Sequence, residues 1–371
     1  MAKPSKVFFT DMKTQHGYNL LDKFDRLLEK AGIDKIKFDG KMTAIKLHFG
    51  EPGNLAFVRP NYAARLVRKI KDLNGKPFLT DCNVLYWGKR GNAIDHLTSA
   101  YQNGFTPMVT GANVIIADGL SGREHTKVPI NLKHIGDAKI GSAVHDADVI
   151  ISLTHFKGHI AAGFGGVLKN IGMGCGSRQG KMEMHSEEKP SINEENCVAC
   201  GACIRNCPEE AISFNKRKKA EIDYDKCIGC GQCLVSCHYG AVEGSFKGDK
   251  AMLNEKIAEY TYAVLKGKPA FHVSLIIDVS PGCDCFGYND RPIVPDIGFA
   301  ASFDPIALDR ACVDLINAAP TLPTGSLDIE SWTDKGDKFG HIHPESRWEA
   351  GLNHGEEIGL GTQKYKLVKF E

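Results

Sequence analysis

The 371-residue sequence predicts an α/β domain built on a largely parallel sheet and interrupted by a short, cysteine-rich α+β insert. Three observations predict it. Short apolar runs rich in β-branched residues alternate with segments of helical periodicity, the pattern of strands joined by crossover helices. Eight of the thirteen cysteines crowd into the stretch from Cys197 to Cys237. Beyond that stretch the α/β alternation resumes, as it does when one domain is split by another. The expected division is a host domain over 1–188, an insert over 189–244, and the rest of the host with a C-terminal wrap over 245–371.

In chain order, Val7-Phe-Phe, Ala44-Ile-Lys-Leu-His48, Phe78-Leu-Thr80, Val114-Ile-Ile-Ala-Asp118 and Val149-Ile-Ile-Ser-Leu153 read as strands. Between the first two, Leu20, Leu21, Phe24, Leu27, Leu28 and Ala31 recur at three- and four-residue steps, one face of an amphipathic helix. Ala63, Leu66, Val67 and Ile70 repeat the pattern. After the insert, Met252 to Leu265 reads as a helix and His272 to Asp278 as a strand. Pro305 to Ile316 is a further helix, with Asp304 placed to cap it and proline at the first helical position. From Pro320 onward the chain is spaced by Gly and Pro and is expected to wrap the host, with His341 and His343 on its surface. Asp118 and Asp278 end apolar strands, where a capping or turn role competes with catalysis.

Lys and Arg number 46 against 45 Asp and Glu, a formal charge of +1, which argues against a nucleic-acid partner bound by overall charge. No run approaches the roughly 20 apolar residues that span a bilayer, so no membrane span is expected. Met1 to Phe9 lacks the apolar core of a secretion signal, and the expected location is the cytoplasm. There, thiols stay reduced, and metal binding or redox chemistry is the favoured use of many cysteines.

The cysteine stretch holds two copies of one pattern: Cys197-Val-Ala-Cys200-Gly-Ala-Cys203-Ile-Arg-Asn-Cys207 and Cys227-Ile-Gly-Cys230-Gly-Gln-Cys233-Leu-Val-Ser-Cys237. Each is C-x2-C-x2-C-x3-C, the run that binds cubane clusters in bacterial ferredoxins, where the fourth cysteine serves the other cluster. The expected cofactors are therefore two [4Fe–4S] clusters. One would be held by Cys197, Cys200, Cys203 and Cys237, the other by Cys227, Cys230, Cys233 and Cys207. Zinc knuckles space their cysteine pairs farther apart. Within the insert, Ala211 to Phe214 and Ala220 to Tyr224 read as a hairpin around the basic turn Lys216-Arg-Lys-Lys219, a solvated tip or a dock for an acidic electron donor. From Ser191 to Gly244 six Lys and Arg face eight Asp and Glu, a net −2 that leaves +3 on the rest of the chain.

The densest reactive segment precedes the insert: Thr154-His155-Phe-Lys157-Gly158-His159, then Gly163-Phe-Gly165-Gly166-Val-Leu-Lys169-Asn170-Ile-Gly-Met-Gly174-Cys175. It follows an apolar strand, and open α/β sheets bind ligands beyond the carboxyl ends of their strands. His155, Lys157 and His159 are the candidate catalytic residues. Gly163, Gly165, Gly166, Lys169, Asn170 and Cys175 are the candidate cofactor-binding residues, the glycines letting backbone N–H groups approach an anion. An additional small-molecule or metal cofactor is expected here, although the spacing matches no nucleotide fingerprint. Cys283-Asp-Cys285, with Cys82 and Cys175, suits a third metal or a redox thiol pair, while Cys82 and Cys312 taken singly read as buried, inert thiols.

This segment, together with Asp278-Val-Ser-Pro-Gly-Cys283-Asp-Cys285 and Pro295-Asp-Ile-Gly-Phe-Ala-Ala-Ser-Phe-Asp304-Pro-Ile-Ala, resembles the family called domain of unknown function 362. The likeness covers nearly the whole chain and implies an iron–sulfur protein with an inserted two-cluster ferredoxin domain; it implies no reaction. The His-Lys-His cluster is also similar to the metal-cofactor site of nickel-dependent lactate racemase, where a lysine tethers the cofactor. Three functions follow as expectations. The first is an iron–sulfur oxidoreductase passing single electrons between a redox partner protein or reduced carrier and a small substrate. The second is a non-enzymatic electron carrier. The third is a metal-cofactor-dependent isomerase or transferase.

Overall fold

The computed structural model describes residues 3–85, 88–185, 189–207, 209–227, 232–237, 239–243, 248–323 and 336–371. Eight strands form the central sheet: β1 (Ser5–Asp11), β2 (Met42–Lys46), β3 (Lys76–Asp81), β4 (Val114–Ile116), β5 (Val149–His155), β6 (Ala270–Ile276), β7 (Gly298–Ser302) and β8 (Tyr365–Lys369). Their order across the sheet is β8-β1-β7-β6-β5-β2-β3-β4. Only β7 opposes its neighbours β1 and β6; every other adjacent pair is parallel. The chain is thus an α/β protein with a largely parallel sheet, as expected.

Alternation along the strands sorts their side chains onto two helix-covered faces. Val149, Ile151 and Leu153 of β5 join Phe271, Val273 and Leu275 of β6 in one core, packed with Phe24, Leu27 and Leu28 of helix Leu20–Ala31 and Leu66 and Ile70 of helix Pro60–Asp72. Ile150 faces the other core, beneath helices Val167–Cys175, Lys250–Leu265 and Pro305–Ala318. Local signals fix the helix ends. Asn19 and Asp22 form a capping box at the start of Leu20–Ala31, and Gly32 closes it with φ +86°. Asp304 accepts from the Ala307 N–H ahead of Pro305, the cap read from the sequence.

Two strands lie outside the sequence expectation. β7 is Gly-Phe-Ala-Ala-Ser, whose small residues give no alternating apolar signal. β8 is an edge strand from the C-terminal wrap, pairing only with β1 and turning Lys366 and Lys369 to solvent.

Strands β1 to β5 precede residues 189–243 and β6 to β8 follow them, yet all share one sheet. Within 189–243, Ser191–Ile192 pairs with Val242–Glu243 and Ile212–Phe214 pairs with Ala220–Ile222. A small apolar cluster of its own gathers Cys197, Cys203, Ile212, Ile222, Cys233 and Val242, joined by Leu85 and Met182 from outside the stretch. Arg123 donates to Ser236 Oγ at 3.1 Å, and Arg178 reaches the Leu234 carbonyl at 3.5 Å. In the basic turn, Arg217 pairs with Glu194 at 3.1 Å and Lys219 donates to the Cys197 carbonyl. Among the described residues no helix is long and apolar enough to cross a membrane.

Candidate functional site

The carboxyl ends of β2, β5 and β6 converge on one buried carboxylate, Asp284. It lies in the loop after β6, in a turn closed by the Phe286 N–H on the Cys283 carbonyl at 3.2 Å. Lys157 Nζ sits 3.0 Å from Asp284 Oδ1, His155 Nδ1 3.3 Å from Oδ2, and His48 Nδ1 3.6 Å from Oδ1. The Asp284 side chain is 0% exposed and that of Lys157 7%. Burial works to raise the Asp284 carboxyl, but the facing His48, Lys157 and His155 outweigh it and hold the group well below the usual carboxylate range. Burial likewise opposes the charge on Lys157, yet Asp284 and the Cys283 sulfur hold its ammonium above its ordinary value.

A second tier fixes these groups. Arg90, fully buried, donates to Glu51 Oε2 and to His48 Nε2, both at 2.7 Å. His48 Nε2 thus faces the Arg90 guanidinium, while its Nδ1 faces both the Gly50 N–H, at 3.1 Å, and Asp284. Burial, with Arg90 beside it, pushes His48 well below the usual imidazole range. The His155 Nε2 lies 3.0 Å from the Ile277 carbonyl, so each ring nitrogen faces an acceptor.

His159 is held apart from this group. It ends the hairpin strand Lys157–His159, which pairs with Gly163–Gly165, and its Nδ1 accepts from the Ala161 and Ala162 N–H groups at 3.2 and 3.0 Å. Donor atoms of His159, Cys283 and Cys285 all lie within 4.8 Å of one another, close enough to hold a metal ion. Lys169 Nζ is 3.9 Å from Cys283 Sγ, and the Cys285 N–H donates to that sulfur at 3.3 Å. Burial and Asp284 raise the Cys283 thiol, but the Cys285 thiol, Lys169 and Lys157 outweigh them and lower it. The same thiol–thiol bond, with burial, raises Cys285.

The remaining candidates serve different places. Asn170 stitches β2 to β5: its Oδ1 accepts from Lys46 Nζ at 2.8 Å, and its Nδ2 donates to Thr154 Oγ1 at 3.0 Å. Lys46 in turn pairs with Asp81 at 3.0 Å, both buried. Gly165 packs against Lys157, and Gly163, at φ +75°, against Trp348 and Ser346. Gly166 precedes helix Val167–Cys175, whose first N–H groups, on Val167 and Leu168, are held by Asp309 at 2.6 and 2.9 Å. Cys175 lies at the far end of that helix beside Cys82, which donates to its carbonyl at 3.4 Å, and burial pushes its thiol up to about 12. The trio around Cys283 therefore includes neither Cys82 nor Cys175. Asp278 does hold a turn, at φ +47°, with its N–H on Asp296. His343 departs from its expected surface position: it is half-buried, its Nε2 2.8 Å from the Pro281 carbonyl, because the C-terminal wrap closes over the loop carrying Cys283.

Sequence reading missed His48, Glu51, Arg90 and Asp284. The signal available was His48-Phe-Gly-Glu51 at the end of a predicted strand, a place where polar residues bind rather than pack.

In the cysteine stretch, Cys197, Cys200, Cys203 and Cys237 line a single pocket with Val198, Phe214, Tyr239 and Ala241. Cys197 Sγ accepts from the Ala220 N–H at 3.4 Å, and Cys207 Sγ from the Ala211 N–H at 3.3 Å. The described cysteines are free thiols. Four soft donors around one pocket, with amides aimed at sulfur, fit a thiolate-bound metal group. Cys230 lies outside the described residues.

No curated relative matches the sequence. Among solved structures the chain is similar to the lactate racemase apoprotein from Thermoanaerobacterium thermosaccharolyticum, with 14% identity, a TM-score of 0.37, and coverage of 74% of this chain and 51% of that one. It is also similar to a structural-genomics protein from Thermotoga maritima, with 10% identity, a TM-score of 0.41, and coverage of 80% and 57%. The chain thus spans little more than half the length of either structure. Residues 43–314, which carry His48, Lys157, His159 and the Cys283–Cys285 loop alike, match the family described as Domain of unknown function (DUF362), and the chain belongs to that family.

Proposed function

We propose that this protein is an iron–sulfur oxidoreductase that exchanges single electrons between an outside carrier and a small substrate at the strand-end site. The observation that carries the reading is the shared pocket. Cys237, from the second cysteine run, joins Cys197, Cys200 and Cys203 of the first, the crossed ligand set that two cubane clusters require. Cys227, Cys230, Cys233 and Cys207 are the second set. When bound, two [4Fe–4S] clusters supply one-electron transfer. Residues 189–243 act in this reading as the inserted ferredoxin domain, docked on the host through Leu85, Met182, Arg123 and Arg178.

The chain's own residues divide the substrate work. Lys157 is committed to Asp284, which leaves Lys169, half-buried beside Cys283, to hold an anionic group of the substrate. His159, partly exposed with its Nδ1 held by two amides, keeps its proton on Nε2 and can donate a hydrogen bond from there to the substrate. His155 is buried and positions Asp284 instead.

Anaerobic purification with iron and sulfide analysis tests the reading. About eight irons are expected, falling to about four in Cys237→Ser. Iron at or near zero in protein purified anaerobically sinks it. If the clusters are present but dithionite-reduced protein is never reoxidised by small acceptors in a way that depends on His159 and Lys169, the non-enzymatic carrier replaces the enzyme.

A further inference from the structure

We infer that Cys283 and Cys285 form a redox-active dithiol that closes to a disulfide within the strand-end site. The two sulfurs are neighbours in one tight turn, held together by the Cys285 N–H on Cys283 Sγ at 3.3 Å. The Cys283 and Cys285 sulfurs lie within 4.8 Å of one another, close enough for modest side-chain rotation to bring them to bonding distance. Both are buried, at 1% and 7% exposure, so their partner is a small molecule or an internal electron acceptor rather than another protein's thiol. Lys169 Nζ at 3.9 Å supplies the positive charge that favours a thiolate, the form that reacts.

Two features turn this pair away from a metal, although His159 stands within reach. A ligating histidine donates its other ring N–H to an acceptor. Here His159 Nδ1 instead accepts from two backbone N–H groups, which leaves the proton on Nε2, where a metal would have to bind. In addition, the ammonium groups of Lys157 and Lys169 flank the sulfurs. With Asp284 ionised and one thiolate, these four charges balance; a divalent cation with both thiolates would leave the site positive.

The step balances simply. The S–S bond forms as two thiols lose two electrons and two protons. In isolated protein an oxidised dithiol reagent takes both electrons. In the working protein, two one-electron carriers of the iron–sulfur type would take one each; this last assignment alone rests on the proposed function, and the dithiol does not.

The test equilibrates the intact, anaerobically purified protein with reduced and oxidised dithiothreitol at graded ratios. Acid quench, denaturation, alkylation and mass spectrometry of the peptide carrying Cys283 and Cys285 follow. The expected result is an unalkylated peptide two hydrogens lighter, appearing in a single two-electron transition while Cys82, Cys175 and Cys312 stay alkylated. Lys169→Met should shift the midpoint ratio tenfold or more toward oxidation, about 30 mV, because the reduced thiolate loses its cation. Alkylation of both cysteines at every ratio overturns the inference. So does a third metal, beyond cluster iron, retained in native mass spectrometry and lost in Cys283→Ser. Cluster iron is counted in the same samples, so loss of the clusters and absence of the disulfide are read separately.

Discussion

Replacing Asp284 by Asn keeps its shape and removes the charge that three strand ends share. Lys157 is then left as a buried ammonium, 7% exposed, whose 3.0 Å partner has become a neutral amide. Breaking a buried pair by removing one partner costs about 3–5 kcal/mol. An independent ceiling agrees. Lys157 can escape by losing its proton, which at pH 7 costs about 4–5 kcal/mol for an ordinary lysine. His48 and His155 lose their anion too, so the lower end of the range is the floor rather than the centre. Anaerobic urea unfolding of wild type, Asp284→Asn, Lys157→Met and the double variant measures it. The expected coupling between the two positions is about 2–3 kcal/mol, because the double variant no longer buries a lone charge. A loss below about 1 kcal/mol for Asp284→Asn, or additive effects in the cycle, would refute the buried hub on which the site geometry rests.

Three further outcomes follow from the same structure. Burial raises the Asp309 carboxyl to about 7, against the Leu168 and Val167 N–H groups, so the folded state holds that proton more tightly than the unfolded chain. Its stabilising contribution is full below about pH 4 and lost as pH rises through 7; between pH 5 and 8 wild type should lose about 2–3 kcal/mol more than Asp309→Asn, and equal pH slopes would contradict this. A Cβ on Gly158 would lie 2.1 Å from the Pro281 carbonyl oxygen, backbone against backbone, so Gly158→Ala should cost at least about 1–3 kcal/mol by overpacking, and an unchanged urea midpoint would mean the hairpin does not press on that loop. Cys207→Ser should remove the second cluster while leaving the pocket of Cys197, Cys200, Cys203 and Cys237 loaded, so that electron paramagnetic resonance of the reduced protein keeps one cluster signal; loss of both signals would break the crossed assignment.

Much of the frame was legible because its causes are local. The run Val149-Ile-Ile-Ser-Leu153 needs both faces covered, so it reads as a buried parallel strand and becomes β5. Asp304-Pro305 is a helix start wherever it stands, and Asp304 does cap Pro305–Ala318. Of the reactive segment, His155, Lys157, His159 and Lys169 do gather at the strand ends, whereas Asn170 ties strands together and Cys175 lies at the far end of its helix beside Cys82. The amides after Gly166 looked open to an anion. They are held by Asp309, a residue some 140 positions away whose place inside a helix carries no local sign of that role.

By itself, the sequence determined the alternation of strands and helices, the crowding of eight cysteines, and the pattern in which they repeat. All of these depend on spacing within a few residues, through the helical and strand periods and the reach of one loop. Only the tertiary structure decided that Asp284 is a shared counter-ion rather than a spacer between two cysteines. Its partners His48, His155 and Lys157 lie more than 120 residues away, and only the parallel order of β2, β5 and β6 brings their carboxyl ends together. A buried charge must find opposite charge or become neutral, and which residues meet that demand is settled by packing, not by neighbours in the chain.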